Sequence, residues 1–105
     1  MTRTLGTDRQ RVDDVAGILK ALGHPLRLRL VALLSEGDEH VNALAARLEV
    51  EPAIVSQQLA ILRMHGLVAA TRVNGQAVYR IVDPRIHRLL RCMDSHNTQP
   101  ARQRP

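Results

Sequence analysis

The sequence predicts a mainly α domain carrying one small β-hairpin, with its elements in the order α-α-α-α-β-β-α. Three observations predict it. Apolar residues recur at helical spacing in separate segments on both sides of the hairpin. Asn74-Gly75 divides two short apolar runs by two residues and supplies the positive φ angles of a type I′ turn. Ahead of that hairpin come a short helix, a tight break and a longer helix with a polar outer face, so the arrangement is a winged helix-turn-helix.

Residues 12–22 place Val15, Ile18, Leu19 and Leu22 at i, i+3, i+4 and i+7, one stripe of a helix that Gly23 stops. Pro25 suits the first turn of a second helix, which runs to about Ser35 with Leu26, Leu30, Leu33 and Leu34 inward; Glu36-Gly37-Asp38 ends it. Residues 41–48 form a two-turn helix with Val41, Leu44, Ala45 and Leu48 inward, too short to stand without packing. Pro52 opens the next helix, which ends near His65-Gly66. At 100° per residue, Val55, Leu59 and Leu62 fall on its core face, and Ala53, Ser56, Gln57 and Ala60 fall opposite. In the hairpin, pairing Val73 with Gln76 sets Val68 opposite Ile81 and Ala70 opposite Tyr79, leaving Thr71, Val78 and Arg80 on the outer face. Asp83-Pro84 reads as the N-cap and first-turn proline of a last helix through about His96, with Ile86, Leu89, Leu90 and Met93 as its stripe.

A chain of 105 residues has room for one such domain, expected over residues 12–96, between a flexible arm of residues 1–11 and a disordered basic tail of residues 97–105. Arg3, Arg9, Arg11, Arg102 and Arg104 in those ends could touch phosphates, though solvated charge explains them as well. The net charge of +5 favours a polyanionic partner. Tyr79 is the only aromatic residue, which argues against stacking on single strands and leaves duplex DNA as the better nucleic acid. A lone Cys92 rules out an internal disulfide framework. No apolar run approaches the roughly 18 residues of a membrane span, and no signal-peptide core follows the basic start, so no membrane partner and a cytoplasmic location are expected. Phosphate loops, paired carboxylates and nucleophile-base sets are lacking, which disfavours an enzyme.

The longer helix of the motif carries no Lys, Glu or Asp from Pro52 to Gly66, whereas a merely solvated face would be expected to carry Lys and Glu. Short side chains permit close approach to a groove floor, and an amide and a hydroxyl can read base edges, so Ser56 and Gln57 are the expected base contacts, flanked by Ala53, Ala60 and Arg63. No acidic residue occurs from Leu67 to Val82, and Arg72, Asn74 and Gln76 at the wing tip suit phosphates or a minor-groove edge. The alternative is a protein-binding winged helix using Ile54, Ile61 and Met64, which share one flank of the same helix. The two end stripes exceed what one small core can bury, so Val15, Ile18, Leu19, Leu22, Ile86, Leu89, Leu90 and Met93 are assigned to a homodimer interface. A two-fold dimer would present two recognition helices to an inverted repeat in double-stranded DNA.

The runs ALGHPLRLRLVALL and VNALAARLEVEPAIVSQQLAILRMHGLVAATRVNGQAVYRI resemble the ArsR/SmtB family of bacterial winged-helix repressors, over roughly residues 12–96. That resemblance implies a homodimer held by its first and last helices, operator binding that blocks transcription, and release by an effector metal or oxidant. It matches Ser56 and Gln57 to the base-reading pair and residues 72–76 to the wing. Glu49 stands at a turn position where relatives commonly carry glycine, so either that backbone has no positive φ or strain of about 1 kcal/mol is tolerated. Glu51 stands at the N-cap, usually Ser or Thr, where its charge suits the helix dipole.

The family's effector sites are only partly matched. At the last-helix metal site the corresponding residues are Asp83, Arg85, His96 and Gln99; two of four ligands remain, and Arg85 opposes a cation. Asp83 is also explained as a cap. In place of a Cys-Val-Cys motif stand His40, Val41 and Asn42. Cys92 and His96, one turn apart near the expected dimer seam, could bind zinc or another transition metal if symmetry doubled them; a buried small thiol beside a frayed histidine is the simpler account. One cysteine per chain allows an intermolecular disulfide or a sulfenic acid but no intrachain redox pair. His24 and His65 are read as structural, and His87 as solvated beside Arg88.

Overall fold

The computed structural model describes Gly6 and residues 8–97. The elements run α1 (Arg9–Ala21), α2 (Pro25–Leu34), β1 (Glu39–His40), α3 (Val41–Leu48), α4 (Pro52–Met64), β2 (Val68–Val73), β3 (Gln76–Ile81) and α5 (Pro84–Asn97). The three strands form one antiparallel sheet in the order β1-β3-β2. β2 and β3 pair from Val68 opposite Ile81 to Val73 opposite Gln76, the register predicted from the Asn74-Gly75 turn. β1 is an addition: Glu39 lies opposite Tyr79 and His40 opposite Val78. Two residues are too few to show an alternating pattern, so the third strand has no sequence signature.

Helix starts follow from cap chemistry. Asp8 accepts the Arg11 N–H at 3.2 Å, so α1 begins three residues before the expected start and takes in the end of the predicted arm. Histidine caps two helices. The His24 Nδ1 accepts the Leu26 N–H at 3.1 Å ahead of Pro25, and the His40 Nδ1 accepts the Ala43 N–H at 3.3 Å ahead of α3. Residues 98–105, nearly all of the expected tail, lie outside the described residues, as do residues 1–5 and 7 of the arm.

The core is built where α2, α3, α4, the hairpin and α5 converge on Leu30, Val31, Leu34, Leu44, Val55, Leu59, Leu62, Leu67 and Ile86. Its composition corrects the assignment of the two end stripes. Leu22, Ile86 and Leu90 are 5%, 0% and 9% exposed in the single chain, so they are core residues with almost no surface left for a partner. The reason is that α5 turns one side of its stripe onto its own chain, and the end of α1 follows with Ala21 and Leu22. What stays outside is the other side: Leu19 is 51% exposed, Val12 and Met93 are also exposed, and Val15 is half-buried, while Ile18 and Leu89 are half-buried with one side packed against the core. His87 is half-buried rather than fully solvated.

Candidate nucleic-acid interface

The turn between α3 and α4 sets the angle at which α4 is presented, and it is locked by backbone bonds. The Val50 N–H closes on the Ala45 carbonyl at 3.1 Å and the Glu49 N–H on the Ala46 carbonyl at 3.3 Å, a Schellman closure of α3. That closure requires a left-handed residue, and Glu49 takes φ 57°, ψ 47°. The position therefore does need positive φ, and a residue with a Cβ bears the strain. Glu51 then caps α4 through its backbone carbonyl, which accepts from Ile54 and Val55, while its side chain makes no capping bond.

Along α4, Val55, Leu59 and Leu62 are fully buried, and Ala53, Ser56, Gln57, Ala60 and Arg63 are exposed. The expected reading face is therefore one continuous solvent-facing stripe. Three buried apolar residues at i, i+4 and i+7 anchor α4 to the core and so fix which way this face points. Neither Ser56 nor Gln57 is tied to a partner side chain among the described residues.

At the wing, Asn74 and Gly75 have φ 51° and 82°, the pair of positive values a type I′ turn demands. Arg72, Asn74 and Gln76 are all exposed at the tip. The Arg72 guanidinium donates to the Gly75 carbonyl, which ties it across the turn. Arg80 is a basic residue the sequence reading left out of the interface. It is exposed and donates to the Thr71 hydroxyl at 2.6 Å, so it holds a second guanidinium on the outer face of the hairpin. Strand alternation already placed Arg80 on that face, and its charge was the available signal. Between α4 and β3 runs a groove lined by Ser56, Ala60, Arg63, Met64 and Tyr79.

Of the candidate effector residues, Asp83 is engaged in structural bonds. Asp83 Oδ1 accepts the Arg85 N–H at 3.0 Å and the Arg85 Nε at 3.1 Å, and Oδ2 accepts from Nη2 at 2.8 Å. These bonds from Arg85 hold the Asp83 carboxyl below its ordinary range, against the opposing effect of partial burial. Asp83 is thus an N-cap and half of an ion pair. Cys92 is exposed in the single chain, contrary to the buried thiol expected, and the His96 side chain lies outside the described residues. Among the described residues, no three His, Cys, Asp or Glu side chains cluster as metal ligands would, and no helix is long and apolar enough to cross a membrane.

Known proteins share this geometry. A family model described as bacterial regulatory protein, arsR family, matches residues 24–70. The biofilm growth-associated repressor of Agrobacterium fabrum is 37% identical over 84 residues, covering 80% of this chain and 72% of its own. The crystal structure of the transcriptional repressor BigR from Xylella fastidiosa superposes with a TM-score of 0.81 at 33% identity, over 89% of this chain and 95% of that one. The solution structure of a homodimeric winged helix-turn-helix DNA-binding domain from Mycobacterium bovis, described as a possible ArsR-family regulator, gives a TM-score of 0.73 at 29% identity, over 90% of each chain. With its helix-turn-helix, wing and presented α4 face, this chain belongs to the arsR family of bacterial regulatory proteins and is a winged-helix transcriptional regulator, not an enzyme.

Proposed function

We propose that two copies of this chain bind an inverted repeat in duplex DNA and repress transcription in the cytoplasm until a signal releases them. The observation that carries this proposal is the exposed stripe Ala53, Ser56, Gln57 and Ala60 on α4, without a charged residue at its centre, beside a wing that carries Arg72 and Arg80. In this arrangement α4 lies along the major groove. Gln57 can donate to and accept from an adenine edge, Ser56 reaches a neighbouring base, and the two alanines let the backbone approach and can contact thymine methyl groups. Arg72, Asn74 and Gln76 reach the adjacent minor groove or its phosphates.

Dimerisation is supported by the apolar surface α1 and α5 leave exposed: Val12, Val15, Leu19 and Met93, with the outer sides of the half-buried Ile18 and Leu89. A two-fold axis between such faces sets half-sites about one duplex turn apart, on the order of 34–36 Å. That the A. fabrum and X. fastidiosa relatives are repressors and the M. bovis domain is homodimeric favours the same reading.

The test is selection of an operator from a random duplex library, followed by titration with Gln57→Ala. The expected loss on the selected duplex is about 1–3 kcal/mol, roughly 5- to 150-fold, with affinity for random duplex unchanged. An equal loss on both would remove Gln57 from base reading. Failure of any duplex to compete better than random sequence would favour the protein-binding alternative, in which the exposed Ile54 and Met64 on α4 would contact a protein instead.

A further inference from the structure

Tyr79 is the only aromatic residue of the chain. Its ring belongs to the core, 8% exposed, on a strand held from both sides by β1 and β2. A phenylalanine would fill such a place equally well, since a buried ring contributes through its area. The hydroxyl has no hydrogen-bond partner among the described residues, yet it is not one of the buried polar atoms left unsatisfied. It is therefore open to solvent, and Tyr79 lines the groove between α4 and β3. Across that groove stands Arg63, exposed and without a carboxylate partner among the described residues, and no acidic residue lines the walls.

A duplex held by α4 in the major groove and by the wing in the neighbouring minor groove has one sugar-phosphate strand between them. That strand must pass between helix and hairpin, which is where this groove lies. We infer that the Tyr79 hydroxyl and the Arg63 guanidinium seat a backbone phosphate there. The inference rests on the duplex-binding proposal above and names a contact that it does not contain. The phenol donates one hydrogen bond to a phosphate oxygen, and the guanidinium adds a charge-assisted one. Phosphate contacts fix the register of a protein on its duplex. A contact made from a core ring references that register to the rigid body of the domain rather than to the wing tip. Tyr79 is in this sense a positioning residue for α4.

The experiment titrates the full-length chain and its Tyr79→Phe and Arg63→Gln variants against operator duplexes carrying one neutral methylphosphonate at each backbone position in turn. The unaltered chain should lose roughly 10-fold or more at one phosphate per half-site. Tyr79→Phe keeps the ring, so its thermal midpoint should be unchanged. It should bind the unmodified operator roughly 10-fold more weakly, with the same salt dependence, and be less sensitive to neutralising that one phosphate. Arg63→Gln should lose sensitivity at the same position and lower the salt slope by about one. If Tyr79→Phe binds like the unaltered chain, or keeps its full sensitivity at that phosphate, the phosphate seat is overturned. If the unaltered chain binds no duplex, the proposal beneath it fails as well, and the two failures are told apart by that control.

Discussion

Replacing Glu49 by glycine should stabilise the domain, although it removes a side chain and inserts the most flexible residue. Glu49 is held at φ 57°, ψ 47° by the bonds from Val50 to Ala45 and from Glu49 to Ala46, so its backbone cannot relax without undoing the end of α3. A residue with a Cβ in that conformation costs about 1–2 kcal/mol. Glycine removes this cost and returns freedom to the unfolded chain, which offsets about 0.4–1 kcal/mol of the gain. The net expectation is centred on about 0.8 kcal/mol, or about 3–6 °C in Tm for a domain of this size. The measurement is urea and thermal unfolding of the unaltered chain, Glu49→Gly and Glu49→Ala at one protomer concentration, because a dimer's midpoint depends on concentration. The alanine variant loses the exposed carboxylate near Glu51 but keeps the strain, so it separates charge from backbone. A gain in Glu49→Ala equal to that in Glu49→Gly, or a glycine variant less stable than the parent, would refute the strain account.

Leu19→Glu should convert dimer to monomer in sedimentation while leaving helix content intact, because Leu19 is half-exposed in the single chain; Leu90→Glu should instead unfold the domain, because Leu90 is in the core. Arg72→Ala should weaken binding to all duplexes and reduce the slope of log affinity against log salt by about one; an unchanged slope would take Arg72 out of the phosphate contacts. Asp83→Asn keeps an acceptor at the cap but loses the ion pair with Arg85, so it should be less stable than the parent at neutral pH. The folded carboxyl titrates below the unfolded one, so its contribution is fully present above about pH 4 and is lost as pH falls through the folded value. Stability curves that do not converge on acidification would show that the difference has another source. The effect is small, since the Arg85 side chain is 47% exposed and the pair is screened by solvent.

Local chemistry made most of this protein legible from its residues. Proline and aspartate positions marked the starts of α4 and α5, Asn74-Gly75 set the hairpin register, and 3.6-residue periodicity separated the buried Val55, Leu59 and Leu62 from the exposed Ser56 and Gln57. Each of these depends on neighbours a few residues away. Tertiary structure alone decided how the end stripes divide, because an apolar residue bound for the core and one left for a partner look alike along a helix. Leu22, Ile86 and Leu90 became core only because α5 and the end of α1 fold back onto their own chain, leaving Leu19 and Met93 outside. The same holds for β1, which exists only as an edge to β3, and for the left-handed Glu49, which the closure of α3 imposes. It holds too for Tyr79, whose ring is core by pattern and which shares with α4 a groove that only packing creates.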